Sequence, residues 1–175
     1  MEYRKNDIVT LEIVDCGTDG EGIGKADGFT VFVKDAVIGD TIMAKIMKAK
    51  KNYGYGRLME ILKPSPYRVE PVCLSARQCG GCQLQAVSYE EQKVFKEKKL
   101  RGHLERIGGF TNLPMEPLIG MDEPYHYRNK AQFPVGRNKE GKIVTGFYAG
   151  RTHAIIENRD CALGIPENKD VLDRV

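Results

Sequence analysis

The sequence contains no tryptophan and only five cysteines among its 175 residues. An odd number of cysteines, in a chain whose first residues form no apolar leader, argues against a disulfide framework. It favours a reducing compartment, so we predict a cytoplasmic location. No stretch approaches the roughly 18 consecutive apolar residues of a membrane-spanning helix, and no membrane partner is predicted. The apolar share of 41% and the charged share of 29% are typical of globular proteins and argue against wholesale disorder.

The first sixty residues carry the pattern of several short β-strands. Alternating or β-branched runs predict strands over 8–14, 29–33, 41–47 and 56–62. The five glycines between positions 17 and 28 are interpreted as turns. Four or five short strands in so few residues favour a small closed barrel, because closure leaves no unpaired edge. We expect a mainly β protein with some α-helix, in which this barrel precedes a small α+β domain that carries the cysteines.

A single long helix is predicted after the barrel, beyond a boundary at Pro64-Ser65-Pro66. Ser88 and Glu91 form the pattern of a capping box, and Gly108-Gly109 would end the helix near Ile107. The helix places Leu100, Leu104 and Ile107 on one face.

The remaining third of the chain is predicted to be β-rich again. Residues 112–124 contain several prolines and predict a loop, followed by strands over 130–135, 143–148 and 153–156. The last residues, 170–175, resemble the opening of a further helix. A helix of one or two turns has little stability alone, so we expect that the chain is part of a longer protein.

Four of the cysteines form a candidate metal site. Cys73, Cys79 and Cys82 have the spacing C-x5-C-x2-C, and Cys161 is the candidate fourth ligand. Four thiolates suit either structural zinc or a [4Fe–4S] cluster, and spacing alone does not decide between them. A third interpretation is that these cysteines hold no metal. Cys16 is interpreted as a small buried apolar residue.

Positive charge is concentrated in one part of a chain whose net charge is only +3. Between positions 45 and 68 the only acidic residue is Glu60. The cations considered for nucleic-acid binding are Lys45, Lys48, Lys50, Lys51 and Arg57. The alternative is an ordinary solvated lysine face.

A second stretch, 125–130, interleaves aromatic residues with Arg128 and Lys130. It could stack on unpaired bases, or it could simply be a strand entry with one buried aromatic. No combination of nucleophile, base and orienting group is recognisable in the sequence, so no catalytic residue is predicted.

Several motifs together resemble one family. Glu21-Gly22-Ile23-Gly24 followed by Asp27-Gly28-Phe29 is similar to a TRAM domain, a small OB-like RNA-binding barrel. The segment Cys79-Gly80-Gly81-Cys82-Gln83-Leu84-Gln85, with Tyr127-Arg128-Asn129-Lys130 and Asp160-Cys161, resembles the N-terminal part of RNA uracil-5-methyltransferases. The branch most similar modifies 23S ribosomal RNA.

The resemblance implies specific roles. The cysteines at 73, 79, 82 and 161 would bind a [4Fe–4S] cluster, and the barrel and cluster domain would hold folded RNA, either 23S rRNA or tRNA. A C-terminal domain absent from these 175 residues would bind S-adenosylmethionine and methylate uracil at C5. The implied division is a TRAM domain over 1–63, an iron–sulfur domain over 64–84 plus 114–175, and a helical segment over 85–113 that packs on the catalytic domain.

Two alternatives to this methyltransferase interpretation stay open. The chain could be a free-standing RNA-binding barrel without catalysis, or a structural zinc protein. If it is part of a methyltransferase, we expect it to be inactive alone. The helix would then show an exposed apolar patch or form an artificial oligomer.

Overall fold

A computed structural model describes residues 3–174. The chain divides into two compact units. The first contains the residues up to Glu70 together with Ala86–Leu118, and the second contains Pro71–Gln85 together with the residues from Ile119 onward. The helical segment therefore belongs to the same unit as the N-terminal strands.

The first unit is built on a closed five-stranded barrel, in the order β1-β2-β3-β5-β4. Its strands are β1 (Ile8–Cys16), β2 (Gly22–Ala26), β3 (Phe29–Val33), β4 (Thr41–Ala49) and β5 (Tyr53–Lys63). All neighbouring strands are antiparallel except β3 and β5, which run parallel. The predicted mainly β fold with an N-terminal five-stranded barrel is confirmed.

Period-two alternation of apolar residues fills the barrel. Leu11 and Ile13 on β1, Val31 on β3, and Ile42 and Ile46 on β4 are all at most 1% exposed. Since successive side chains point to opposite faces of a strand, the residues between them lie on the outer face. This alternation determines which charged and aromatic residues lie on the outer face of the barrel, where a binding partner could contact them.

Strand β2 was not predicted, because its glycines look like turn residues in the sequence. In the structure Gly22 and Gly24 are buried and face the barrel interior. A Cβ at Gly22 would lie 2.7 Å from the Ala36 carbonyl oxygen, and one at Gly24 would lie 2.9 Å from the Glu12 carbonyl oxygen. The glycines are therefore needed for close approach of the backbones within a strand, not for turns.

A buried ion pair fastens the segment after β5 to the barrel. Asp40 is fully buried, and Arg68 donates to its Oδ2 over 2.6 Å. The amides of Val37 and Ser65 also donate to the Asp40 carboxylate, at 2.7 and 2.8 Å. A second bond runs from Arg68 to the Asp35 carbonyl. All these donors compensate the cost of burying the charge.

The helix α1 (Tyr89–Arg106) begins after Ser88 as predicted, but the Ser88 side chain makes no capping hydrogen bond. Instead Gln92 donates through Nε2 to the Val87 carbonyl. The helix buries none of its residues, and Leu100 and Ile107 are 50% and 81% exposed. Leu100 and Ile107 are thus exposed while Leu104 is half-buried, and packing of this face on another domain stays a prediction.

The second unit contains a three-stranded antiparallel sheet in the order β6-β7-β8. Its elements are β6 (Val135–Arg137), β7 (Ile143–Tyr148), β8 (Ile155–Glu157) and the short helix α2 (Glu167–Leu172). The strand predicted over 130–135 is wrong: the observed strand begins only after Pro134, which has no N–H to donate. The terminal helix begins three residues earlier than predicted, and Val175 lies outside the described residues. No helix in the described part of the chain is long and apolar enough to cross a membrane.

Candidate nucleic-acid surface and cysteine site

The five cations predicted in the barrel to bind nucleic acid all lie on the hairpin formed by β4 and β5. Lys45 on β4 is paired with Arg57 on β5. Lys50 and Lys51 occupy the turn between the strands, and Lys48 lies at the end of β4. All except the half-buried Lys45 are exposed. We call these five residues the basic hairpin.

A β-bulge directs one of these lysines outward. Strict alternation after the buried Ile46 would turn Lys48 into the barrel. The pairing shifts between Ile46 and Lys48, so that Ile46 lies opposite Gly56 and Lys48 lies opposite Tyr55. Met47 and Lys48 are both exposed as a result. The bulge therefore extends the positive surface toward the turn.

Three aromatic rings lie beside Lys48 on the same outer face. Phe32 on β3 is paired with Tyr55 on β5, and Tyr53 lies two residues before Tyr55. Their ring centroids are 5.7–5.9 Å apart. This set, which we call the aromatic cluster, was not predicted from the sequence. The alternation Tyr53-Gly54-Tyr55-Gly56 was the available signal, since the two glycines are the inward positions.

The second unit brings the four predicted cysteines together. Cys73, Cys79, Cys82 and Cys161 all line one cavity, together with Gln85, Arg128 and Asn158. None of them is in a disulfide. The loop between Cys79 and Cys82 is held against the end of β7, because the Gly80 amide donates to the Tyr148 carbonyl over 2.9 Å. A Cβ at Gly80 would lie 2.9 Å from that same oxygen, so a larger residue does not fit.

Segment 125–130 positions the fourth cysteine. The His126 amide donates to the Ala162 carbonyl, and the Arg128 amide donates to the Leu163 carbonyl. The Ile165 amide in turn donates to the Arg128 carbonyl. These bonds hold the chain directly after Cys161. Arg128 itself lines the cysteine cavity, whereas Lys130 is exposed.

Three of the four sulfur atoms accept a hydrogen bond from an N–H group. Gln85 Nε2 donates to Cys82 Sγ at 3.3 Å, the Gly81 amide donates to Cys79 Sγ at 3.3 Å, and Asn158 Nδ2 donates to Cys73 Sγ at 3.5 Å. Burial raises the pKa of Cys82, the Gln85 bond opposes that rise, and the charges of the other three cysteines add to it. Donors of this kind stabilise thiolate sulfur.

The cysteine cavity gathers sulfur donors that have N–H partners. Sulfur donors with N–H partners suit soft metal centres. Within residues 3–174, no three His, Cys, Asp or Glu side chains are placed to hold one metal ion. Cys16, in the barrel, lies outside this set, and burial raises its pKa to about 11.

Comparisons with known proteins agree with the fold. Residues 4–59 match the TRAM domain family. The chain is 46% identical over 172 residues to an uncharacterised RNA methyltransferase of Halalkalibacterium halodurans, covering 98% of this chain and 37% of that protein. It is 48% identical over 161 residues to another from Clostridium tetani, covering 92% and 35%.

A solved structure has the same fold over nearly the whole chain. It is the Pyrococcus abyssi tRNA (uracil-54, C5)-methyltransferase in complex with S-adenosyl-L-homocysteine, with a TM-score of 0.61 and 24% identity over 94% of this chain and 35% of that one. The chain thus spans little more than a third of the length of the relatives it matches. Residues 4–59 are therefore a TRAM domain, and nearly the whole chain is similar to the N-terminal 37% or so of proteins named RNA methyltransferases.

Proposed function

We propose that this chain is the RNA-binding part of a cytoplasmic, S-adenosylmethionine-dependent methyltransferase that forms 5-methyluridine in 23S ribosomal RNA. RNA binding is supported above all by the basic hairpin. Three of its cations lie on strands of the TRAM barrel and two lie in the turn that joins them. Phosphate contacts of this kind supply most of the sequence-independent affinity for RNA. The methyltransferase part is supported by the relatives, one of which was solved with S-adenosyl-L-homocysteine.

The proposal assigns the chemistry to the part of the relatives that this chain does not span. No residue of this chain is assigned a catalytic role, and the chain alone is expected to be inactive. The alternative substrate is tRNA, which the Pyrococcus abyssi neighbour modifies. Transfer of a labelled methyl group from S-adenosylmethionine to purified 23S rRNA or tRNA, by the full-length protein, distinguishes the two.

We assign the four cysteines of the second unit to a [4Fe–4S] cluster. Their convergence on one cavity and the N–H donors to three sulfurs support a thiolate-bound centre. Arg128 also lines the cavity, and a guanidinium close to four thiolates would offset part of their negative charge. Anaerobic purification followed by iron, sulfide and zinc analysis tests this: about four iron and four sulfide per chain are expected. One zinc without iron would contradict it and favour a zinc-stabilised RNA-binding module.

RNA binding by the basic hairpin is tested through its salt dependence. The triple variant Lys48→Glu, Lys50→Glu, Lys51→Glu should bind single-stranded RNA more weakly. The slope of log K against log salt should fall by about 2, since each lost phosphate contact removes ~0.7 from it. The matched control reverses Lys96, Lys98 and Lys139, three exposed cations outside the hairpin. Unchanged affinity and slope in the hairpin variant would overturn the assignment.

A further inference from the structure

The aromatic cluster offers a surface of a different kind from the basic hairpin. Its rings project from the outer face of the barrel. Val31 and Val33 on either side of Phe32, and Gly54 between the two tyrosines, are buried and face inward, and successive side chains alternate between the two faces. Tyr53 is 38% exposed, and Phe32 and Tyr55 are half-buried. Exposed rings grouped on a barrel face have no role in filling the core.

The three rings of the aromatic cluster contact one another. Phe32 and Tyr55 are tilted by only 34° relative to each other, at 5.7 Å between centroids. Tyr53 stands at 86° to Phe32 and at 82° to Tyr55. A flat ring that stacks on the accessible face of one of these rings would extend the cluster, and both stacked and edge-on contacts are favourable between π-systems.

The charges beside the aromatic cluster indicate which kind of flat ring would stack on it. Lys48 lies directly opposite Tyr55 on the neighbouring strand, and Lys45 and Arg57 form the next outward-facing pair along the same hairpin. A base that stacks on the cluster would therefore have Lys48 one strand spacing away, about 5 Å, for its phosphates, with Lys45 and Arg57 further along the hairpin. An apolar protein segment would gain nothing from that row of cations.

We propose that the aromatic cluster of Phe32, Tyr53 and Tyr55 is a stacking site for an unpaired nucleobase of RNA. The site holds a single-stranded loop or end, because bases inside a duplex present no free face for stacking. It accepts any base, since every base has a π-face and the cluster adds only the two tyrosine hydroxyls as polar groups. This inference rests on the proposed RNA-binding function, and it adds a contact that depends on bases to one that depends on phosphates.

The experiment separates the two kinds of contact. Two probes of equal length are used, single-stranded octauridylate and an eight-residue abasic ribose-phosphate strand with the same phosphates. Wild-type chain should bind octauridylate about tenfold more tightly than the abasic strand, the size of one stacking contact. The double variant Tyr53→Leu, Tyr55→Leu should lose that preference and bind both strands equally, with its salt slope unchanged. Tyr67→Leu, on an exposed tyrosine outside the cluster, is the matched control and should keep the preference.

Tyrosine fluorescence gives a second readout, since the chain has eight tyrosines and no tryptophan. Octauridylate should quench it in the wild type and in Tyr67→Leu, and much less in the double variant. Tyr53→Phe, Tyr55→Phe keeps the rings and should keep the preference for bases, whereas unchanged binding of the abasic strand by the leucine variant excludes loss of folding as the cause. If the double variant still discriminates between the two probes, the stacking site is wrong while the phosphate surface stands. If the wild type binds neither probe, the proposed RNA-binding function fails instead.

Discussion

At the scale of single residues, the ion pair between Asp40 and Arg68 is a buried contact of the barrel unit in which several donors converge on one carboxylate. Burial by itself raises the pKa of Asp40, but the bond from Arg68 and the amides of Ser65 and Val37 outweigh it, and the pKa lies below its usual value. A carboxyl with a lowered folded pKa stabilises the fold at all pH values above its unfolded pKa, about 3.9. That contribution is lost as the pH falls through the lower folded value.

We therefore expect Arg68→Met to destabilise the barrel unit by about 3–5 kcal/mol at pH 7, because it leaves the Asp40 carboxylate buried without its partner. The difference from wild type should narrow as the pH falls from 7 to 3, because burial without Arg68 favours the protonated Asp40 carboxyl in the variant, while the wild type loses the benefit of its ion pair. Urea unfolding at pH 7 and pH 3 measures both effects. Arg101→Met, on an exposed pair of α1, should change stability by less than about 0.5 kcal/mol. A deficit that is equal at both pH values would refute this account.

Gln85 is a second residue with a testable role, because it contacts two of the cysteines. Its Oε1 accepts from the Cys73 amide at 3.2 Å while its Nε2 donates to Cys82 Sγ. We expect Gln85→Leu to weaken metal binding about 10–100-fold, the usual cost of losing a group that orients a ligand. Competition with an iron chelator, followed by absorbance, measures the loss. Gln83→Leu, two residues earlier and exposed, should retain metal as the wild type does; equal loss in both variants would contradict the role of Gln85.

At the scale of elements, strand β2 shows how a glycine can be a packing residue. Gly22→Ala should destabilise the barrel unit by about 1–3 kcal/mol, since the added Cβ would lie 2.7 Å from the Ala36 carbonyl oxygen and 2.9 Å from Ile13 Cγ2. Gly102→Ala is the control, because a Cβ there meets nothing within 4 Å and alanine favours a helix. Thermal unfolding of both variants tests the contrast. A Gly22→Ala variant as stable as Gly102→Ala would show that the strand can shift.

Helix α1 is expected to be the least protected regular element of its unit. It buries no residue, and its ion pairs, Glu90 with Lys93 and Arg101 with Glu105, are on the surface, where such pairs contribute little. Amide hydrogen exchange should therefore be much faster in α1 than in β1 or β4, whose inward residues are fully buried. Protection of α1 equal to that of β4 would indicate that its apolar residues are covered, for example by self-association.

What the sequence could and could not predict follows from the same elements. Strands β1, β3 and β4 were predictable because alternating branched residues fill the barrel, and α1 was predictable from Ser88 and the glycines at its end. Strand β2 was not, since a glycine needed for close approach and a glycine needed for a turn look alike. The aromatic cluster was missed for a related reason: Phe32 becomes a neighbour of Tyr55 only through the parallel pairing of β3 with β5.

At the scale of the whole molecule, the two units differ in the interactions that stabilise each of them. The barrel has a continuous core of large aliphatic residues. Among the described residues of the second unit, the buried apolar side chains are Ala76, Cys79, Val144, Ala162 and Leu172, most of them small. Such a core gives little hydrophobic stabilisation. We therefore expect the proposed metal centre, which would join Cys161 to the Cys73–Cys82 loop, to supply much of the folding free energy of this unit.

Removal of the metal should therefore affect one unit and spare the other. We expect Cys161→Ser to lose iron and to loosen the second unit, so that proteolysis cuts within 119–174 while the barrel survives. Its RNA salt slope should stay close to that of the wild type, because the basic hairpin belongs to the barrel unit. Cys16→Ser, in the barrel, should keep both iron and protease resistance. If Cys161→Ser instead unfolds the barrel together with the second unit, or abolishes the salt-dependent binding, the metal centre stabilises the RNA-binding surface itself and the two units cannot be treated as independent.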